Sequence, residues 1–324
     1  MGGLSRKYSA IKDLQSEGVD PLILDAGDLL FSAKTIKKSD HDSELFRASK
    51  ILSGYEKIGC DAINVGQYEF ASGYENLRQL TDGTSMTFIS ANLVDSETHE
   101  PIFNPYTIIE RNRISFGVIG LTDLIPDTIG GVLVEDYKIT GKRYIQTIKN
   151  KTDFIILLVN SGRETYEDLP KLFGDADIIL TSGSTFLTRP VMNQAENGPY
   201  VFSGGREGRY LNRIDLSVIN KNQPIINRSY YESKINYIQK RLDRYQEKNS
   251  KVPLLKLYSD QPTILEIIDS GRRDIARMKK ILNKKSNQIT FQNVAMDAKI
   301  RDYPDILKYI NNALDDYSKL SQSE

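Results

Sequence analysis

Phe154-Ile155-Ile156-Leu157-Leu158-Val159 is apolar at every position. A strand that shows one face to water alternates apolar with polar residues, so an unbroken run of this length predicts a strand buried on both faces. Short, largely apolar strand patterns recur at Pro21 to Asp28, Cys60 to Gly66, Phe88 to Leu93, Ile178 to Leu180 and Tyr200 to Phe202. Helical patterns at Ser43 to Ile58, Tyr74 to Leu80 and Lys142 to Lys149 fall between them. Tyr106 to Ile109 and Ile114 to Gly120 read as a hairpin across Arg111-Asn112-Arg113, and Leu211 to Leu216 reads as a further strand. Strands alternating with helices predict a layered α/β fold with helices over the sheets. In such folds a ligand site lies at the carboxyl ends of the strands.

The pattern changes near Asn227. Ile235, Ile238, Leu242 and Tyr245 are spaced by three and four residues, and Ile268, Ile275 and Leu282 repeat every seven. These stripes predict two amphipathic helices, broken around Ser250 to Pro262, that pack as an antiparallel hairpin. A strand over Gln288 to Met296 and a helix over Pro304 to Leu320 are expected to follow. The resulting division is 1–226 for the α/β domain and 227–324 for the hairpin, strand and terminal helix.

Charge and rare residues limit the partners. The chain has 324 residues, with 43 Lys and Arg against 43 Asp and Glu. A net charge of zero predicts no binding to nucleic acid or to an anionic membrane. The apolar runs are too short to cross a bilayer. Cys60 is the single cysteine, so no internal disulfide forms, and its place between a helix and a strand predicts a core position. His41 and His99 sit in polar surroundings that read as solvated loops. The opening, Met1 to Lys7, has no signal-peptide pattern and leads straight into a helical one.

Several short motifs occur in one order: Gly2-Gly3-Leu4-Ser5-Arg6, Leu24-Asp25-Ala26-Gly27-Asp28, Asn64-Val65-Gly66-Gln67-Tyr68-Glu69-Phe70, Ser90 to Asp95, and Gly117 to Thr122. Asp177-Ile178-Ile179-Leu180 and Tyr210 to Leu216 continue the series. In this order and spacing, over about residues 1 to 220, the chain resembles the N-terminal domain of 5'-nucleotidases in the calcineurin-like metallophosphoesterase superfamily. The resemblance implies a metallophosphoesterase-like β-sandwich flanked by helices, here with a C-terminal helical hairpin. It also implies the family's chemistry: two divalent metal ions share a bridging aspartate, clamp a phosphate and activate a water for attack on phosphorus.

Position by position, the resemblance implies that most of the metal ligands are missing. Gly27-Asp28 matches the motif of the bridging aspartate. Gln67 stands where the family has a metal-binding asparagine, and Tyr68 where a histidine assists the leaving group. Asn160 falls near a metal-ligand histidine, and Gly183 and Thr185 fall where a Gly-His-x-His motif has its two histidines. The expectation is therefore a pseudoenzyme with no metal cofactor and a vestigial or partial ligand at Asp28. It would act as a binding or scaffolding module, with the hairpin as a contact surface for a protein partner. The alternative is a residual phosphoesterase that uses Asp28 and an Asp-x-His motif on a strand preceding Gly2, which implies that the chain starts late.

Each residue also has a plain structural role to consider. Asp28 would cap a turn, Tyr68 would fill the space of an imidazole, and Glu69 would be a surface carboxylate. Asn160 and Thr185 would be turn residues, and Gly204 to Arg209 a turn rather than a phosphate cradle. Because relatives of this type are commonly exported, the resemblance points to the periplasm or the cell surface.

Overall fold

The computed structural model describes residues 3–126, 128–195 and 198–323; Gly2 of the opening motif lies outside the described residues. The chain forms two compact units. The first contains residues up to Thr188, Gly198–Asn212 and the segment from Asn293 onward, and the second contains Arg189–Asn197 and Arg213–Gln292.

In the first unit, helix α1 (Leu4–Ser16) precedes strand β1 (Leu24–Asp25), α2 (His41–Ile58), β2 (Ala62–Asn64), α3 (Tyr74–Asp82) and β3 (Thr87–Ile89). β1, β2 and β3 form a parallel sheet in that order. β4 (Leu93–Asp95) pairs with a later antiparallel strand. β5 (Tyr106–Arg111) and β6 (Ile114–Thr122) form the expected hairpin, with Asn112 and Arg113 both at positive φ as a tight two-residue turn requires. β7 (Thr128–Ile129) and β8 (Val132–Val134) complete a small sheet of order β4-β8-β7. α4 (Tyr137–Ile148) starts at Asp136, whose carboxylate accepts from the N–H groups of Lys138 and Ile139. β9 (Phe154–Asn160), the short helix α5 (Leu169–Leu172), β10 (Ile178–Ser182) and β11 (Tyr200–Ser203) follow.

The main sheet has the order β11-β10-β9-β6-β5, with β5 alone antiparallel to its neighbour. All seven residues of β9 are buried, as its unbroken apolar run requires. One face of this sheet carries Ile119, Leu121, Leu157 and Val159 against Tyr137, Ile145 and Ile148 of α4 and Phe173 after α5. A second cluster joins Ala48, Leu52 and Tyr55 of α2 and Leu77 of α3 to Ile63 and Phe88. The two sheets meet at Gly120. A Cβ there would lie 2.6 Å from the Ile89 carbonyl oxygen and 2.5 Å from Asn64 Oδ1, so only glycine permits this approach.

β12 (Tyr210–Ser217) leads from the first unit into the second. There β13 (Ile225–Asn227), α6 (Arg228–Gln246), α7 (Leu254–Leu257) and α8 (Pro262–Leu282) follow in turn, and β14 (Asn287–Ala295) leads the chain back to the first unit. The Asn227 side chain accepts from the Tyr230 N–H at 3.0 Å and caps α6, which is why the pattern changes at this residue. Leu242, Leu254, Tyr258, Ile268 and Ile275 form the hairpin core. Tyr231, near the start of α6, packs with Met278 near the end of α8, so the two helices run antiparallel.

The compact units do not divide at 226. The last helix, α9 (Pro304–Ser323), belongs to the first unit, because it packs on α1 and α2. The Ser5 hydroxyl and the Tyr303 backbone exchange hydrogen bonds of 3.2 and 2.8 Å, and the Tyr309 hydroxyl donates to the Lys50 carbonyl at 2.8 Å. His41 is not in a loop but is the first residue of α2. His99 is exposed in a turn at φ 57°, and Cys60 is buried.

Candidate functional site

Parallel pairing brings several strand ends to one place. Asn160 is in register with Thr122 on one side and Ser182 on the other, so the last residues of β6, β9 and β10 form a row. The segments after β1 and β2 deliver Asp28, Gln67, Tyr68 and Glu69 to the same place.

Asn160 is the hub of this cluster. It is wholly buried, and it ends β9 rather than lying in a turn. Its Nδ2 donates to Asp28 Oδ2 at 2.8 Å and to Ser182 Oγ at 2.8 Å. Its Oδ1 accepts from the Gln67 N–H at 3.0 Å and from Thr122 Oγ1 at 3.3 Å. The carboxamide therefore uses both donor hydrogens and both acceptor lone pairs inside the protein. Ser182 Oγ passes the chain on, donating to the Ala26 carbonyl at 2.6 Å.

Asp28 sits at φ 62°, an uncommon conformation for a residue with a side chain. Its Oδ1 accepts from the Tyr68 N–H at 2.9 Å, so it caps the turn after β2 and not the one that follows it in sequence. Burial raises its pKa above the ordinary carboxylate range, while the bonds from Tyr68 and Asn160 pull the other way. A Cβ on Gly66 would lie 2.7 Å from Asp28 Oδ1 and 2.9 Å from Asn160 Nδ2, so the motif glycine leaves room for this contact.

Glu69 is the clearest departure from the sequence reading. It is wholly buried, not a surface carboxylate. Its Oε2 accepts from the N–H groups of Asp28 at 2.9 Å and Gly66 at 2.8 Å, and its Oε1 from those of Leu29 at 2.7 Å and Leu30 at 3.1 Å. Four main-chain donors converge on one carboxylate and hold the loop that carries Asp28. Burial, with the nearby charge of Asp28, pushes its pKa up to about 7.

The remaining expected residues lie around this cluster. The Gln67 carboxamide turns away and donates to the Leu124 carbonyl. The Tyr68 ring is partly buried against the α2–α3 core. Gly183 is at φ 86°, and a Cβ there would meet the Leu124 side chain at 2.5 Å and the Ser161 carbonyl at 2.7 Å. Thr185 is exposed in the turn after β10 and makes none of these contacts. Gly204 to Arg209 is a turn, in which Arg209 pairs with Glu207 at 2.6 Å. Among the described residues, no three His, Cys, Asp or Glu side chains come together in a group that could hold a metal ion.

Behind Asp28 lies a relay that was not legible in the sequence. Lys7 Nζ donates to the Tyr55 hydroxyl at 2.9 Å, and that hydroxyl donates to Asp25 Oδ2 at 3.1 Å. Asp25 Oδ1 in turn accepts from the Gly27 N–H at 3.0 Å. Burial lowers the pKa of Lys7, and Asp25 opposes that shift. Lys7, Tyr55 and Asp25 are far apart in sequence, and no spacing rule connects them. Glu69 had a usable signal, since it stands three residues after a glycine that closes a buried strand.

No family model matches the chain. The 5'-nucleotidase of Vibrio cholerae is 32% identical over 158 residues, which are 46% of this chain and 27% of that protein. The 5'-nucleotidase of Vibrio parahaemolyticus is 26% identical over 260 residues, 67% of this chain and 45% of that protein. The calcineurin-like phosphoesterase YfkN of Bacillus subtilis superposes with a TM-score of 0.65 at 16% identity, covering 99% of this chain and 91% of that structure. The chain carries a 5'-nucleotidase-like metallophosphoesterase domain. It spans less than half the length of the two Vibrio relatives. Within this metallophosphoesterase domain the polar cluster stands at the carboxyl ends of the strands, where the fold positions a site.

Proposed function

We propose that this metallophosphoesterase-fold protein is a non-catalytic binding or scaffolding module that holds neither of the family's two metal ions. The Asn160 carboxamide carries this reading. At the end of β9, where a metal-binding imidazole is expected, it donates to Asp28 and Ser182 and accepts from Gln67 and Thr122. The donor from Asn160 takes up one acceptor site of the Asp28 carboxylate. The residues present do not fit a pair of divalent ions: Gly183 has no side-chain ligand, Thr185 is outside the cluster, and Gln67 points to a carbonyl. Amides also bind transition metals poorly beside imidazole.

A phosphoester hydrolase of this type needs both the activated water and the cation clamp, and this chain's own residues supply neither. In the resemblance, the protein acts in the periplasm or at the cell surface. Among the described residues no helix is long and apolar enough to cross a membrane.

The test is elemental analysis of the protein after dialysis against manganese and zinc, with assays of nucleoside monophosphate hydrolysis. The expected result is no retained metal and no metal-dependent turnover. Two ions per chain would overturn the proposal. One ion that is lost in Asp28→Ala, together with turnover, would replace it with a mononuclear hydrolase.

A further inference from the structure

The zero net charge conceals a segregated one. Residues 213–292, nearly the whole of the second unit, contain seventeen Lys and Arg but eight Asp and Glu. This segment therefore has an excess of nine positive charges, and the rest of the balanced chain has nine more acids than bases. The expectation that no polyanion binds rested on the total. A segment of this size responds to its own field, because charges beyond about 10 Å are screened at ordinary salt.

The bases concentrate on the hairpin. From Arg272 to Lys285 there are seven bases (Arg272, Arg273, Arg277, Lys279, Lys280, Lys284 and Lys285) and one acid, Asp274. All seven bases are exposed. Arg273, Arg277, Lys280 and Lys284 follow at steps of four, three and four, which aligns the first three along one face of α8 and the last just beyond its end. Arg277 pairs with Asp274 at 3.1 Å, and Arg273 reaches Asp269 at 3.8 Å, with both arginines more than 70% exposed. No carboxylate lies within ion-pair distance of Arg272, Lys279, Lys280, Lys284 or Lys285 among the described residues. Helix α6 adds the exposed Arg241 and Arg244, Lys248 follows just beyond its end, and Tyr237 of the same helix is also exposed.

The helix dipole accounts for Lys279 and Lys280 in the last turn of α8, but not for the arginines in mid-helix. A lipid surface would call for apolar residues beside the bases, to sink below the headgroups. Here the apolar faces of α6 and α8 are used against each other, in the core around Leu242, Ile268 and Ile275. What remains outward is a row of exposed guanidinium and ammonium groups with little apolar surface among them. That chemistry suits a linear chain of phosphates, bound through its backbone charge and without base readout.

We infer that the basic face of the α6–α8 hairpin binds nucleic acid through its phosphate backbone, independently of sequence. This inference does not depend on whether the strand-end site hydrolyses anything.

Fluorescence anisotropy of a labelled single-stranded oligonucleotide, titrated with the full chain, tests it. Binding should be saturable. If about four or five phosphates are contacted, affinity should fall roughly 100-fold between about 50 and 200 mM salt. Combined Arg273→Glu, Lys280→Glu and Lys284→Glu should abolish binding, with circular dichroism showing that the helices persist. Arg273→Lys should retain it, and so should the control reversal Lys142→Glu on exposed α4. Absence of binding, or binding that survives the triple reversal, would overturn the inference. So would binding to phosphatidylglycerol vesicles but not to the oligonucleotide, which would assign the face to a lipid surface instead.

Discussion

At the scale of single residues, the polar groups at the strand ends are closed by hydrogen bonds from the protein itself. Asn160, Asp28, Ser182, Gln67 and Glu69 satisfy one another and the nearby backbone. Buried polar groups that lack partners cost far more than paired ones contribute, so such a cluster must be closed on itself. Glu69 does this for four main-chain N–H groups at once. Asp177 offers a simpler case for measurement. Its Oδ2 accepts from the Ile155 N–H at 2.8 Å, yet burial pushes its pKa up to about 6 from an ordinary 3.8. Since the folded value is the higher one, the folded state binds more protons between those values, and stability falls as pH rises from about 4 to 6. Asp177→Asn keeps an acceptor for Ile155 and removes the charge. Its denaturation midpoint should exceed that of the parent at about pH 8 and match it near pH 4; a lower midpoint at pH 8 would show that the charge is stabilising.

At the scale of elements, the hairpin was legible because its information is local. Ile235, Ile238, Leu242, Ile268 and Ile275 repeat at helical spacing, and the same residues meet in the core. Ile268 is wholly buried, whereas Tyr237 is 55% exposed. Ile268→Ala should cost about 2–5 kcal/mol, as for other large-to-small changes in a packed core. Tyr237→Ala should stay within about 0.5 kcal/mol, as surface substitutions usually do. Urea titration distinguishes the two; equal effects would mean that the helices pack on another face. The β5–β6 hairpin was equally legible, from two short strands on either side of Arg111-Asn112-Arg113. The end of β9 was not. Apolar periodicity stops at Val159, and nothing in the pattern reveals that Asn160 continues the strand with all four hydrogen bonds satisfied.

At the scale of the whole molecule, the return of the chain matters most. After β14, α9 packs on α1 and α2, and its Tyr317 hydroxyl donates to Glu44 Oε1 at 3.0 Å. Ile306 is buried, and the rings of Tyr303 and Tyr8 meet edge to face with their centroids 4.6 Å apart. Ending the chain after Asp302 would uncover the faces of α1 and α2 and leave these bonds unmade. The denaturation midpoint should fall, with partial loss of the signal from the first unit; an unchanged midpoint would make α9 an accessory.

Apart from the short elements β7, β8, β13, α5 and α7, the sequence by itself determined most of the longer strands and helices, their order and the family likeness. These follow from periodicity and from motifs of a few residues, which are properties of neighbours along the chain. The resemblance also implied that Gln67, Tyr68, Asn160, Gly183 and Thr185 stand where the family has other residues. Only the tertiary structure decided what those side chains contact. Asn160 and Asp28 are 132 positions apart, and Ser182 Oγ reaches Ala26 across 156. Hydrogen bonds of that kind depend on register between parallel strands, which no local pattern encodes. The Lys7–Tyr55–Asp25 relay and the docking of α9 were hidden for the same reason.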